Sequence, residues 1–287
     1  MSAILQTARV VGVLNATPDS FSDGGRFVDG GGLHLGPALE LAAGQVEAGV
    51  DLLDVGGEST RPGAREVSVD EECARTVPLI EALAKRFATP ISVDTRKSEV
   101  ADAALAAGAE VVNDVSGLRF EPALAEVVSR HGAGLVLGHA RGTPETMQDD
   151  PHYDRVIEEV AGELRESVAW ARDAGLPDAA LAVDPGIGFG KRPEDNHALL
   201  TRIGALRGAV GGSFPVWVGP SRKAFLGALT GDPAPERDAA THAACAIAVY
   251  EGADTVRVHD VAGAVRVVAV ARALRAARDA DAGRTPA

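Results

Sequence analysis

Short apolar runs in this sequence repeatedly end in side chains that can do chemistry. The polar residues that follow eight such runs are Asn15, Glu58, Asp94, Asn113, His139, Asp184, Ser221 to Lys223, and the pair Arg257 and His259. Asp94 and Asp184 supply carboxylates and Asn113 supplies an amide, and a carboxylate can accept two parallel N–H bonds from a guanidine-like edge. Together these three residues predict a pocket for a flat ligand rich in N–H donors.

Basic side chains accompany this set of acceptors. Arg257 and His259 are two residues apart in the run RVHD, so both point to the same side of one strand. Ser221 is predicted to cap a short helix with Lys223 in its first turn, where free N–H groups attract an anion. Arg61 lies in a long loop and can approach from above. Because the chain has a formal charge of −13, this local concentration of cations predicts a ligand with two or more phosphates.

The overall charge and the cysteine content argue against several other classes of function. A net charge of −13 argues against nucleic acid or an anionic membrane as the main partner. Cys73 and Cys245 lack metal-ligand or redox spacing, so neither zinc nor a disulfide framework is predicted. No export signal is visible, and arginines interrupt the late apolar tract VAGAVRVVAVARALRAA, which favours a packed helix over a membrane span. We therefore expect a cytoplasmic protein.

The elements that must hold these side chains alternate regularly along the chain. Eight β-rich runs, RVVGVLN, VDLLDVG, PISVDT, EVVNDV, AGLVLGH, ALAVDPG, PVWVGP and DTVRVHD, are separated by alanine-rich segments with helical periodicity. Eight such units in 287 residues favour a closed (β/α)8 TIM barrel of parallel strands over an open doubly wound sheet. We predict a single α/β domain over residues 1–287, with a loose tail from about 279 to 287.

A barrel brings the carboxyl ends of its strands, and therefore these polar residues, to one rim. Two connections there are unusually long: ATPDSFSDGGRFVDGGGLHLG after strand one and GESTRPGAREVSV after strand two. Loops of this length in compact domains usually have a function, so we predict that both contribute to the site and are mobile. Asp51, Asp54 and Asp114 are predicted to be structural acids, whereas Arg222 suits a ligand contact and a solvated surface position equally.

Eight motifs, in this order, resemble the dihydropteroate synthase family of folate biosynthesis: GVLNATPDSFSDGG, DLLDVGGESTRPGA, PISVDTRK, VVNDVSG, GTPETMQ, DPGIGFGK, VGPSRKAFLG and RVHDV. The resemblance covers nearly the whole chain. It implies a transferase that joins 7,8-dihydropterin pyrophosphate to 4-aminobenzoate, giving 7,8-dihydropteroate and pyrophosphate. It also implies a Mg²⁺ cofactor, a homodimer and sensitivity to sulfonamides.

The resemblance assigns roles to matching positions of this chain. It places the pterin against Asp94, Asn113, Asp184, Lys223 and Arg257. It places pyrophosphate against Asn15, Thr60, Arg61, Arg257 and His259, with Asn15 also holding the metal. It places 4-aminobenzoate against Thr60, Pro62, Phe189 and Ser221, and it makes Asp94, Arg61 and Lys223 the catalytic residues. Such a site stabilises separated charge as pyrophosphate departs, and no protein nucleophile is needed.

The sequence departs from the family pattern near strands five and seven. Gly138 and Ala140 stand where the family usually has methionines, and Pro220 stands where it commonly has His, Ala or Thr. Two alternative functions share the predicted pterin pocket: a methyltetrahydrofolate-dependent methyltransferase, and a paralogue that binds pterin without turnover. The two long loops and the strand-eight anion site disfavour the methyltransferase, which lacks them. The sequence alone does not separate an active enzyme from the paralogue.

Overall fold

The structure, a computed structural model, describes residues 4–17, 28–29, 32–33, 35–61 and 63–282. Eight parallel strands within them form one sheet. Their bounds are β1 Val10–Asn15, β2 Leu52–Gly56, β3 Ile91–Asp94, β4 Val111–Asp114, β5 Gly134–Leu137, β6 Leu181–Val183, β7 Trp217–Val218 and β8 Thr255–Val258. Strands β1 to β6 pair in sequence order, β7 pairs with β8, and β8 pairs with β1. A bridge between Val183 and Val216 closes the ring, which confirms the TIM barrel.

Helices cover the outside of this barrel. Their bounds are α1 Ile4–Thr7, α2 Leu35–Glu47, α3 Val69–Arg86, α4 Ser98–Ala106, α5 Leu124–His131, α6 Val156–Asp173, α7 Pro193–Thr201, α8 Ile203–Val210, α9 Ala224–Thr230, α10 Asp238–Glu251 and α11 Val261–Ala282. The start of α3 shows how the sequence fixes a helix end, because the Ser68 hydroxyl accepts the N–H of Glu71. Acidic residues occupy the first turn of α3 and basic residues the last, so both ends complement the helix dipole.

Side chains along each strand alternate between the helices and the barrel interior, as the pleat requires. The outward-facing side chains pack with the helices into one continuous core. The inward-facing ones form a separate cluster at the amino end of the barrel: Val11, Leu52, Val111, Val136, Ala182 and Trp217. Leu5 of α1 joins this inner cluster and closes that end. Gly134 leaves room for it, because a Cβ there would lie 3.0 Å from Leu5 Cδ1.

The carboxyl-terminal helix extends further than the sequence pattern predicts. The sequence predicts that residues 279–282 belong to a loose tail, but in the structure they belong to α11. The alanine-rich composition of this segment favours a helix, which explains the extension. None of the helices in the described part of the chain is long and apolar enough to cross a membrane.

Of the two long loops, the first contains a short antiparallel hairpin of Val28–Asp29 with Gly32–Leu33. Residues 18–27, 30, 31 and 34 of this loop lie outside the described residues. The second loop connects β2 to α3 and is described except for Pro62. The mobility of both loops stays a prediction.

Candidate active site

The barrel mouth contains the predicted set of hydrogen-bond acceptors. Asp94 and Asn113 are partners in the pairing of β3 with β4, and their side chains are 7% and 5% exposed. Asp184 follows β6 directly, and its carboxylate accepts the N–H of Gly186 at 2.7 Å. Burial raises the pKa of the Asp184 carboxyl, although the Gly186 N–H and the charge of Lys223 lower it.

Asp54 of β2 lies below this set. Its carboxylate accepts hydrogen bonds from the Ser92 hydroxyl at 2.5 Å, from Nε of Arg257 at 2.5 Å and from the Asn113 amide at 3.4 Å. Because the Asn113 NH₂ group donates to Asp54, its amide oxygen remains available as an acceptor. Asp54 is a structural acid, as predicted, but the structure that it supports is the site itself.

The other two acids predicted to be structural lie away from the mouth. Asp51 accepts the backbone N–H groups of Arg9 and Val10, both at 2.8 Å. Asp114 faces outward from β4 and accepts N–H groups of the turn that follows it, including that of Leu118 at 2.6 Å. Both predictions are confirmed.

Arg257 spans the barrel interior between two acids. Its Nε bonds Asp54, and its Nη2 lies 2.7 Å from Asp94. Burial alone would lower the pKa of Arg257, but the charges of Asp54 and Asp94 raise it, so the guanidinium stays charged. Burial raises the pKa of Asp94 to about 7, even though Arg257 lowers it. The charge of Arg257 therefore favours the ionised form of Asp94 against the effect of burial.

The turn DPGIGFGK packs against the end of β5 through its glycines. Gly186 has a φ of +67°, and a Cβ there would lie 1.7 Å from the His139 carbonyl oxygen. Gly190 has a φ of +58°, and a Cβ there would lie 2.4 Å from the Arg141 carbonyl oxygen. A left-handed conformation without a side chain is required at both positions. The turn can therefore follow β6 and hold Phe189 at the rim.

Lys223 approaches this turn from the β7 side. Its ammonium donates to the carbonyl of Ile187 and lies 3.7 Å from the centre of the Phe189 ring. Burial lowers the pKa of Lys223 to about 7, although the charge of Asp184 raises it. Lys223 thus packs against an aromatic ring, within the electrostatic range of Asp184.

Ser221 does not cap a helix, which corrects the prediction. Arg222 adopts a left-handed φ of 56°, so α9 begins only at Ala224, with Lys223 at its cap position. The Arg222 guanidinium bonds both oxygens of Asp238, at 2.8 and 2.9 Å, which makes it a structural ion pair.

The Ser221 hydroxyl pairs instead with His259. It lies 2.8 Å from Nδ1 of His259 and accepts the backbone N–H of the same residue at 3.2 Å. Burial, together with the charges of Arg222, Arg257 and Arg61, lowers the pKa of His259 to about 3. His259 is therefore neutral at physiological pH, and Arg61 is close enough to affect its protonation.

Asn15 and the second loop complete the mouth. Asn15 ends β1 and pairs with Gly56, where a Cβ would lie 3.3 Å from the Asn15 amide oxygen. Thr60 is half-buried and Arg61 is exposed. Pro62 lies outside the described residues, so its predicted contact stays a prediction. Within the described ranges, no group of three or more His, Cys, Asp or Glu side chains is arranged to hold a metal ion.

The sequence and the fold match proteins of known activity. A family model described as pterin binding enzyme matches residues 11–259. Dihydropteroate synthase of Synechocystis sp. is 45% identical over 249 residues, covering 86% of this chain and 83% of that protein. The structure of Yersinia pestis dihydropteroate synthase with a sulfonamide drug matches with a TM-score of 0.87 and 39% identity, covering 95% of this chain and 96% of the other. This chain belongs to the dihydropteroate synthase family.

A second solved structure carries the same family name. Burkholderia cenocepacia dihydropteroate synthase, complexed with 7,8-dihydropteroate, has a TM-score of 0.82 and 42% identity over 96% of this chain and 94% of the other. Dihydropteroate synthases are transferases of folate synthesis, and family membership assigns this chain to that class of enzyme.

One buried cluster below the dihydropteroate synthase mouth was not predicted as a unit. Nζ of Lys191 lies 3.0 Å from Nδ1 of His139 and donates to the Phe189 carbonyl at 3.0 Å. Nε2 of His139 lies 3.1 Å from Glu163 of α6. The sequence contains His139 and Lys191 in recognisable motifs, but their separation of 52 positions gives no local signal of contact. The cluster fastens the turn that carries Phe189.

Gly138 departs from the dihydropteroate synthase pattern for a steric reason. A Cβ at Gly138 would lie 2.6 Å from Cα of Val115, and the Gly138 N–H donates to the Asp114 carbonyl at 2.8 Å. The ends of β4 and β5 therefore approach too closely for a larger residue. Pro220 starts the turn that displaces α9, since its carbonyl accepts the Lys223 N–H at 3.3 Å.

Proposed function

We propose that this chain condenses 7,8-dihydropterin pyrophosphate with 4-aminobenzoate to give 7,8-dihydropteroate and pyrophosphate. One observation carries the proposal: Asp94, Asn113 and Asp184 lie at one barrel mouth with Lys223 and Arg257 among them. Acceptors and cations together suit a substrate that is rich in N–H donors at one end and anionic at the other.

The acceptors bind the pterin ring. Asp184 takes the guanidine-like edge through two parallel N–H bonds, a geometry that favours a carboxylate. Asn113 and Asp94 accept from the opposite edge, and the Asn113 oxygen is available because its NH₂ group already donates to Asp54. Lys223 donates to the ring oxygen, and Arg257 lies against the ring while bonding Asp94.

Pyrophosphate binds to Asn15, Thr60, Arg61, Arg257 and His259. Mg²⁺ fits this position, because a hard ion that is coordinated by phosphate oxygens and water needs few oxygen ligands from the protein. The Asn15 amide oxygen, at the end of β1, is the ligand we assign to it. When bound, the ion offsets negative charge on the departing pyrophosphate.

4-Aminobenzoate binds nearer the rim, between the DPGIGFGK turn and the second loop. The Phe189 ring, with the Lys223 ammonium 3.7 Å from its centre, provides one face. Ser221 provides a hydroxyl and backbone groups, and Thr60 and Pro62 provide the opposite side. The amine then points toward the pterin methylene carbon.

The chemistry requires charge stabilisation more than a protein nucleophile. The methylene C–O bond to pyrophosphate breaks, the aromatic amine forms the new C–N bond, and the amine releases one proton. Asp94 and Asp184 stabilise positive charge on the pterin, whereas Arg61 and His259 stabilise the leaving group. The aromatic amine is already nucleophilic, so positioning contributes more than a general base.

The protein is proposed to act as a cytoplasmic homodimer. A groove of about 590 Å³ between α10 and α11 is lined by Ile247, Tyr250, Val267, Val270 and Leu274. Ile247, Val270 and Leu274 are 48%, 61% and 57% exposed. An apolar face of this kind on neighbouring helices fits a second copy of the same chain.

A coupled assay for pyrophosphate tests the proposed activity. We expect pyrophosphate release that requires both the pterin substrate and 4-aminobenzoate, with stoichiometric dihydropteroate. Release with the pterin substrate alone would indicate hydrolysis. Tight pterin binding without release in the presence of both would indicate a non-catalytic paralogue.

A further inference from the structure

Lys97 joins both ends of the second loop through one buried ammonium. It donates to the Glu58 carboxylate, to the Val67 carbonyl at 2.7 Å and to the Glu72 carboxylate at 2.7 Å. Glu58 follows β2 at the beginning of the loop, and Val67 lies at its end before α3. Lys97 is only 4% exposed, and each of its three N–H groups has a partner.

Arg96 makes a second connection to the same loop. Its Nη2 lies 2.8 Å from Glu58 and 3.3 Å from Glu66, and its guanidinium stacks 3.9 Å from the centre of the Phe120 ring. Two cations therefore face two buried carboxylates, Glu58 and Glu72, and one exposed carboxylate. The loop ends are held by ionic contacts shielded from water, where such contacts are strongest.

The position of this cluster links the loop to the pterin pocket. Strand β3 ends in Asp94, and Thr95, Arg96 and Lys97 follow it directly. The loop carries Thr60 and Arg61 between its two fastened ends. Two residues that follow β3, Arg96 and Lys97, therefore hold both ends of the second loop.

We propose that Lys97, assisted by Arg96, is a positioning residue for 4-aminobenzoate, because it holds Thr60 and Arg61 at the rim. The inference rests on the proposed function. Neither cation contacts a substrate. Their effect passes through the loop, so it falls on 4-aminobenzoate and on the pyrophosphate group, which Thr60 and Arg61 are proposed to contact, and spares the pterin ring.

The first test substitutes Lys97→Met and measures KM for 4-aminobenzoate and, separately, the dissociation constant of a pterin that lacks pyrophosphate. We expect KM for 4-aminobenzoate to rise at least about tenfold, while the pterin dissociation constant changes less than about twofold. Lys85→Met is the matched control, because Lys85 lies on α3, is 78% exposed and pairs only with Glu81 among the described residues. The control should leave both values unchanged. An unchanged KM in the folded Lys97→Met variant overturns the proposal.

The second test separates positioning from folding, because Lys97→Met leaves Glu72 buried without its cation and beside Glu58, which keeps Arg96. The double variant Lys97→Met/Glu72→Leu removes that repulsion and is expected to recover the unfolding midpoint. It lacks the contact to Val67, so KM for 4-aminobenzoate should stay raised. If KM recovers together with stability, Lys97 is merely structural and the proposal is wrong.

The third test does not depend on activity. Trypsin cleavage after Arg65, measured by mass spectrometry on the full chain, reports how firmly the loop ends are held. Cleavage should be faster in both Lys97 variants than in the parent and in Lys85→Met. An equal cleavage rate in the parent, Lys85→Met and both Lys97 variants overturns the proposal. If the Lys97 variants are cleaved faster but the parent releases no pyrophosphate, only the proposed reaction is contradicted.

Discussion

Nζ of Lys191 lies 3.0 Å from Nδ1 of His139, and both side chains are buried. While Lys191 is protonated its ammonium can only donate, so Nδ1 accepts and the single ring proton lies on Nε2 facing Glu163. Burial lowers the pKa of Lys191 to about 7 and that of His139 to about 4. Lys191 and His139, which hold the turn that carries Phe189, are thus two groups whose pKa values change on unfolding.

The stability of the protein should therefore depend on pH through Lys191. An unfolded lysine has a pKa of about 10.4, so between pH 7 and about 10 the unfolded chain binds a proton that the folded chain releases. Stability contributed by this group rises with pH across that window. Urea unfolding at pH 7 and pH 9 should show a smaller increase for Lys191→Met than for the parent. Identical increases would mean that Lys191 is not deprotonated in the folded chain.

Asp184→Asn should weaken pterin binding by about 2 to 5 kcal/mol, the range for unpairing a buried charged hydrogen bond. The asparagine oxygen can still accept the Gly186 N–H, so folding should change little. Calorimetry with the pterin measures the loss. Asp51→Asn, at the other end of the barrel, should keep the parent affinity. Parent affinity in Asp184→Asn would exclude this residue from the pterin pocket.

Binding of 4-aminobenzoate should depend on pyrophosphate through Arg61. We expect affinity to increase at least about tenfold, roughly 1.4 kcal/mol, when pterin and Mg·pyrophosphate are present. Arg61→Ala should remove most of this gain and leave pterin affinity nearly intact. Arg65→Ala, an exposed arginine of the same loop, should retain it. Equal affinity with and without Mg·pyrophosphate in the parent would show that the rim site is preformed.

Sulfonamides should compete with 4-aminobenzoate and not with the pterin, because they present an aniline and an acidic group in the same arrangement. Phe189→Ala should weaken sulfonamide inhibition about tenfold, since it removes the aromatic face beside Lys223. Steady-state inhibition with each substrate varied in turn measures this. Inhibition that is competitive with the pterin substrate would show that the sulfonamide binds in the pterin pocket, which contradicts our assignment.

The proposed dimer should depend on the exposed face of α10 and α11. Val270→Asp introduces a charge at a side chain that is 61% exposed, so the monomer should fold normally. Sedimentation should show a dimer for the parent and a monomer for the variant. A monomeric parent at micromolar concentration would contradict the proposal.

The barrel could be predicted from the sequence because each strand and helix has a local signal. Even β7, which contains only Trp217–Val218, lies within the recognisable apolar run PVWVGP. Strand ends also predicted the mouth residues, since barrel geometry brings them to one rim. The period of the strand would have placed Asp54 on the same side as Gly56, but only the structure shows its bonds to Arg257 and Asn113.

Other features had no local signal. The helix predicted at Ser221 begins later because Arg222 adopts a left-handed φ, which is uncommon for arginine. Lys97 contacts residues 25 to 39 positions away, and no sequence period predicts such contacts. Long-range ionic contacts of this kind depend on the completed fold.

Leu5 closes the amino end of the barrel interior, so the described part of the barrel is accessible from one side. The side chains proposed to accept the pterin are buried, whereas Thr60 is half-buried and Arg61 is exposed. If the proposed sites are right, we expect the pterin to enter before the molecule at the rim and to leave after it. A compound that occupies only the rim position should then retain a bound pterin, and the residence time of the pterin should lengthen with the occupancy of the rim.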